Sequence, residues 1–242
     1  MDTIKMNSRS VCMIAHRGVS GLERENTCAA FVAAGNRSYF GIEADVHQTA
    51  DGKFIIIHDD TTTRVTGREL TVEETDFDSL RQLRLLDIVY NMPRADLCLP
   101  SLEEYISICK KYEKTAVLEL KNPMSPETVK GILDTVAACG YLDGTLFISF
   151  ALENLIALRE MLPSQPAQYL IAGEIEDPDA LLAALKQYLL GLDADYTLVT
   201  PDLVRLLHDH GIEVNVWTVN TPEEAEKLID MGVDYITSNI LE

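Results

Sequence analysis

Short apolar runs alternate along the chain with stretches whose apolar positions recur every three or four residues. The runs are Val11–Ala15, Gly41–Val46, Thr115–Leu120, Thr145–Ser149, Ala167–Ala172, Tyr196–Val199, Glu213–Val219 and Asp234–Thr237. Their Val, Ile, Leu, Phe and Tyr content suits parallel strands buried on both faces. Between them, Leu181, Leu182, Leu185 and Leu189, and then Leu203, Leu206, Leu207 and His210, keep helical spacing. Ser125-Pro126-Glu127, Asp177-Pro178 and Thr221-Pro222-Glu223 read as helix starts, a capping side chain followed by a proline whose fixed φ suits the first turn. Gly140, Gly191, Gly211 and Gly232 fall where the helices should end. Eight strands alternating with helices predict an α/β fold, a (β/α)8 TIM barrel. A doubly wound open sheet is the alternative, but no glycine-rich phosphate loop follows the first strand.

One segment interrupts the alternation. Asp51-Gly52 between apolar runs is a hairpin signal, so Phe54–His58 should fold back on the extension of the second strand. That register sets His58 roughly opposite Asp45. Residues 59–99 then form a small polar excursion, within an insertion of about residues 47–99, and a helix over Ser101–Tyr112 rejoins the barrel. Only Ser238–Glu242 follow the last strand, so the last helix is vestigial, and the arm Met1–Ser10 is the segment available to cover the gap.

At 242 residues, 47% of them hydrophobic and 24% charged, the chain reads as one globular domain spanning 1–242. The net charge of −19 repels nucleic acid and anionic lipid, so neither nucleic-acid binding nor stable membrane association is expected. No run approaches the length of a membrane span, and Val11–Ala15 is too short for a signal peptide. The five cysteines are scattered without CxxC spacing, which points to buried thiols and a reducing cytoplasm.

Barrel chemistry gathers at the carboxyl ends of the strands. There the first strand gives His16-Arg17-Gly18, the second Glu43 and Asp45, and the third Glu119-Leu120-Lys121. A period of two puts Glu43 and Asp45 on one face, and Glu119 and Lys121 on one face. Three carboxylates inside apolar runs repel one another, and a hard cation relieves that. All-oxygen ligands favour Mg²⁺ or Ca²⁺, one divalent cation held by Glu43, Asp45 and Glu119. His16 and His58 reach the same mouth and suit a general acid and base. Arg17 and Lys121 are the local cations, fit to hold a phosphate oxyanion. Phe150 and Trp217, at two further strand ends, are weaker candidates for lining a substrate pocket. His47, His208 and His210 lie in the hairpin or on a helix and read as non-catalytic.

Taken together and in order, these residues resemble the glycerophosphodiester phosphodiesterase family. The likeness covers nearly the whole chain: His16-Arg17-Gly18, Glu25-Asn26-Thr27, Glu43-Ala44-Asp45-Val46, Asp51-Gly52, His58-Asp59, Arg64-Val65-Thr66-Gly67, Leu99-Pro100-Ser101-Leu102-Glu103-Glu104, Glu119-Leu120-Lys121, Trp217-Thr218-Val219-Asn220 and Gly232-Val233-Asp234. It departs at Arg24, where a proline is usual, and at Thr237-Ser238-Asn239, where Thr-Asp-x-Pro is common. The resemblance implies metal-dependent hydrolysis of glycerophosphodiesters to sn-glycerol 3-phosphate and an alcohol. It also implies Glu43, Asp45 and Glu119 as metal ligands, His16 and His58 as the acid–base pair, and Arg17 and Lys121 on phosphate. The nucleophile is either water or the glycerol 2-hydroxyl. The rival readings are a phospholipase D-like enzyme acting on lysolipids and a non-catalytic barrel binding phosphorylated ligands. The first needs an apolar surface near the mouth, which a short insertion and the acidic charge speak against.

Overall fold

A computed structural model describes residues 2–242, leaving Met1 of the N-terminal arm outside the described residues. The strands and helices follow one another as β1 (Cys12–Ala15), α1 (Cys28–Gly35), β2 (Gly41–Gln48), β3 (Phe54–Ile56), α2 (Thr63–Thr66), α3 (Phe77–Arg81), α4 (Leu102–Lys111), β4 (Thr115–Leu120) and α5 (Pro126–Ala138). They continue as β5 (Thr145–Ser149), α6 (Leu152–Met161), β6 (Ala167–Ile171), α7 (Pro178–Tyr188), β7 (Gly191–Asp195), α8 (Pro201–His208), β8 (Val214–Trp217), α9 (Pro222–Met231) and β9 (Tyr235–Ser238). All strands but β3 pair in parallel, in the order β1-β9-β8-β7-β6-β5-β4-β2, and β1 pairs with β2 to close the ring. The result is the closed eight-stranded (β/α)8 barrel.

The caps do their expected work. Ser125, Asp177 and Thr221 each accept a backbone N–H in the first turn of α5, α7 and α9, with proline at the helix start. Ser101 and Glu104 form a reciprocal capping box on α4. The antiparallel β2–β3 hairpin sets Val46 against Ile56, so Asp45 faces Ile57, and His58 comes one residue later. The N-terminal arm runs parallel to the C-terminal segment, with Ile4 N–H donating to Ile240 O at 3.0 Å and Met6 N–H to Glu242 O at 2.7 Å. These bonds tie the two terminal segments together, and no helix follows β9.

Two expectations fail together at the seventh strand. Tyr196–Leu198 is a turn of 3-10 helix, and the strand is Gly191–Asp195. Two aspartates break the apolar run of Gly191-Leu192-Asp193-Ala194-Asp195, so hydropathy favours the more apolar residues that follow. Gly191 does not end the preceding helix. Leu189 does so in the left-handed region at φ 52°, while Gly191 opens β7. There a Cβ would meet the Gln168 side chain at 2.9 Å.

The excursion after β3 is polar only outside. Ile55, Ile57, Val65, Val72, Leu80, Leu85, Leu97 and Leu99 form an apolar cluster of their own beneath it. Its tip exposes Ile88, Val89, Tyr90 and Met92. Arg24 holds that tip beside the β1–α1 loop by donating to the Leu86 and Asp87 carbonyls at 2.5 and 3.0 Å.

Candidate active site

The register of β2 and β4 sets Asp45 beside Glu119, and the two-residue period carries Glu43 on the same face. One carboxylate oxygen from each of the three lies within 4.8 Å of the others, and all three residues are buried. Beyond β1 the chain turns sharply through Arg17 and Gly18, at φ 53° and 76°. The turn aims the Arg17 N–H at Glu43 Oε2, 2.7 Å away. Glycine is required at the second position, because a Cβ there would come within 2.7 Å of Ala30.

Cations and carboxylates interlock around this turn. Arg17 Nε lies 3.5 Å from Asp45 Oδ2 and its Nη1 donates to Glu25 at 2.9 Å. Asn26 Nδ2 donates to Asp45 Oδ2 at 2.7 Å, and Lys121 Nζ lies 2.8 Å from Glu119 and 3.7 Å from Asp45. Burial opposes ionisation of Asp45, but Arg17 and then Lys121 overcome it and hold the carboxyl well below the usual range. Burial and the charge of Asp45 push Glu43 well above its usual range despite Arg17. The same two causes push Glu119 up to about 8, Lys121 notwithstanding. Asp45 Oδ1 is buried without a hydrogen-bond partner among the described residues. Three crowded oxygen donors, two of them reluctant to ionise together, fit a hard divalent cation. The site can therefore bind a metal.

Both histidines reach the same pocket. His16 Nδ1 lies 2.7 Å from Asn239 Oδ1, which also accepts from the Ser20 hydroxyl at 2.7 Å. An amide oxygen only accepts, so Nδ1 carries the proton and Nε2, 4.0 Å from Glu43, keeps its lone pair. Burial and then Arg17 bring the pKa of His16 down to about 4. His58 Nδ1 lies 2.7 Å from Asp59 Oδ1, and Asp59 is gripped in turn by Arg64 at 2.7 Å. Burial lowers the pKa of His58 too, while Asp45 and Asp59 raise it. The pocket, of about 130 Å³, is further walled by Phe150 and Trp217, whose rings meet edge to face at 5.7 Å. His16, Arg17, Glu43, His58, Glu119, Phe150 and Trp217 thus line this pocket, and Asp45 joins them through Arg17. Lys121 does so through its contacts with Glu119 and Asp45.

The sequence profile of the glycerophosphoryl diester phosphodiesterase family matches residues 16–241. The chain belongs to that family. A glycerophosphodiester phosphodiesterase of Caldanaerobacter subterraneus is 27% identical over 229 residues, covering 94% of this chain and 93% of that one. The crystal structure of a glycerophosphodiester phosphodiesterase from Parabacteroides distasonis superposes with a TM-score of 0.79 at 28% identity, over 99% of this chain and 94% of that one. An Oleispira antarctica phosphodiesterase, solved in complex with its product sn-glycerol 3-phosphate, has a TM-score of 0.79 at 25% identity, over 98% of this chain and 96% of that one. Among the described residues no helix is long and apolar enough to cross a membrane.

Asn239, Asn26, Glu25 and Arg64 carried no assigned role in the sequence, because each acts on a residue elsewhere along the chain or through another side chain; Asp59 acts directly on its neighbour His58 but was visible only as part of a motif. For Asp59 and for Glu25-Asn26 the motif resemblance was the available signal. Asp193, on β7, also lines the pocket and carried no signal at all, since its strand was misplaced.

Proposed function

We propose that this chain, working as one barrel domain with residues 47–99 inserted, hydrolyses glycerophosphodiesters to sn-glycerol 3-phosphate and an alcohol. The observation that carries this reading is a pocket lined by His16, Arg17, Glu43, His58 and Glu119, with Asp45 and Lys121 packed directly behind them in the same cluster of charges. Glu43, Asp45 and Glu119 hold one divalent cation, Mg²⁺ or Ca²⁺, which when bound supplies charge neutralisation for the phosphodiester. Arg17 and Lys121 hold the phosphate oxygens and keep Asp45 ionised.

The histidines divide the proton work by their surroundings. His16 is neutral at physiological pH, with Nδ1–H fixed on Asn239 and Nε2 free, and takes the proton of the nucleophile, water or the glycerol 2-hydroxyl. His58 is backed by the Asp59 carboxylate, which favours the protonated ring, and delivers a proton to the leaving alkoxide. Phe150 and Trp217 wall the pocket and exclude water from one side.

The test is release of sn-glycerol 3-phosphate from a panel of glycerophosphodiesters with Mg²⁺ or Ca²⁺. No release with any member, from protein that melts cooperatively, ends this reading. The apolar tip at Ile88–Met92, beside the β1–α1 loop, favours a second reading in which lysolipids are cleaved. The same panel includes lysophosphatidylcholine, and turnover of that compound in preference to glycerophosphocholine selects the second reading.

A further inference from the structure

We propose that Asp193 forms the far end of the substrate pocket and binds the terminal hydroxyl of the glycerol end, the one farthest from phosphorus. The proposal rests on the phosphodiesterase reading above. In the closed strand order β7 stands four places from β2 in either direction, so Asp193 faces the carboxylate cluster across the barrel. It lines the same pocket as His16, Arg17, Glu43 and Glu119.

Asp193 is only 2% exposed, yet its Oδ1 has no hydrogen-bond partner among the described residues. Buried polar atoms are nearly always paired, so an orphan in a pocket wall marks where a ligand bonds. Arg17 Nε and Asp45 Oδ1 share that condition at the opposite wall, where phosphate and cation account for them. Neither explanation reaches Asp193, which has no second carboxylate in its strand register and no cation paired with it.

The Gln168 amide nitrogen is likewise without a partner among the described residues but does not line the pocket, and the one polar register neighbour of Asp193 bonds elsewhere. Its register neighbour Asn215 donates to Gln168 Oε1 at 3.1 Å and accepts from Thr237 at 3.3 Å. Its other register neighbour is Leu170, an apolar pocket residue. Trp217 Nε1 approaches only the Asp193 main-chain oxygen, at 3.4 Å, which ties the aromatic wall to this point. Burial, and then the charge of Glu119, hold the carboxyl well above its usual range. A neutral carboxyl offers one donor and one acceptor, the complement of an alcohol. With phosphate fixed at β1, β2 and β4, a three-carbon chain extends from there toward β7.

The decisive comparison uses glycerophosphocholine and the phosphocholine ester of propane-1,2-diol, which lacks only the terminal hydroxyl. Wild type should prefer the glycerol substrate by about 10–100-fold in kcat/KM. Asp193→Leu should lower kcat/KM on glycerophosphocholine by about that factor, and leave the deoxy substrate within about twofold. Asp193→Asn keeps the size of the side chain and should lose part of the preference. Both variants should melt no lower than wild type, because an unpaired buried carboxyl is removed. An equal loss on both substrates, or a lower melting temperature with the preference intact, would make Asp193 a structural residue and overturn the proposal. If wild type hydrolyses neither ester, calorimetry with sn-glycerol 3-phosphate and its 1-deoxy analogue separates the two ideas. A binding preference lost in Asp193→Leu keeps the hydroxyl site and ends the phosphodiesterase reading; no preference ends both.

Discussion

Cation binding at Glu43, Asp45 and Glu119 should release protons, and the pH dependence of that release can be worked from the site. Glu119 titrates at about 8, and Glu43 is also raised. At neutral pH Glu119 therefore tends to hold its proton, which a cation must displace. The apparent Kd should tighten about tenfold per pH unit for each proton displaced. At fixed metal a tenfold gain is about 1.4 kcal/mol, or about 3–5 °C in the melting temperature of a chain this size. Without metal the trend reverses. The folded Glu119 value lies above its ordinary 4.5, so the folded state binds more protons between 4.5 and 8, and stability falls as pH rises through that window.

Thermal melts at pH 6, 7 and 8, in chelator and in millimolar Mg²⁺ or Ca²⁺, read both slopes. Calorimetry in two buffers of different ionisation enthalpy counts the protons. Glu119→Gln should remove most of the metal-dependent rise and raise the metal-free melting temperature above neutral pH, since one buried repelling charge is gone. A metal-dependent rise that does not change with pH, or that survives intact in Glu119→Gln, would refute the reasoning about coupled carboxylates.

Four other residues give sharper readings of the chemistry. His16→Ala and His58→Ala should each lower kcat by about 10²–10⁴, and near-normal turnover removes that histidine from the mechanism. His16 has a folded value of about 4 against an ordinary 6.5, so the unfolded chain binds the extra proton between them and stability falls as pH drops from 6.5 to 4. His16→Ala should flatten that acid limb of a pH–stability curve. Asn239→Leu should lower kcat by about 10–100-fold with little change in KM, because the His16 ring loses the partner that fixes its tautomer; a pure KM effect would contradict that role. Lys121→Met should reduce kcat/KM by about 10–100-fold without altering the far-ultraviolet circular dichroism, and an unchanged kcat/KM would leave Lys121 a structural counter-charge.

The barrel was legible because its signals are local. Caps such as Ser125-Pro126 and the hairpin Asp51-Gly52 fix their elements through neighbours a few residues away, and those elements formed as expected. The strand at Gly191–Asp195 was not legible, because a functional position had replaced an apolar one. Asp193 and Asp195 lower the hydropathy of the strand that carries them, and the apolar residues of Tyr196–Val199 offer a better but false match. The apolar cluster under residues 59–99 escaped for another reason. Its members come from short irregular segments with no period of their own.

The same contrast explains what was missed in the site. Carboxylates inside apolar runs are conspicuous, so Glu43, Asp45 and Glu119 could be picked out as a group before any contact was known. The groups that tune the histidines are less conspicuous, lying after β9, after β3 and in the short helix α2. Asn239 lies 223 residues from His16, and Arg64 acts on His58 only through Asp59. Without Asn239 a neutral His16 has no fixed tautomer, and without Asp59 only the charge of Asp45 favours a proton on His58. On the proposed reading the metal ligands are set by strand register, while the division of labour between the histidines is set by Asn239 and Asp59, which lie outside the strands. On the same reading a protein of net charge −19 holds an anion because Arg17 and Lys121 sit against the carboxylates that would otherwise repel it.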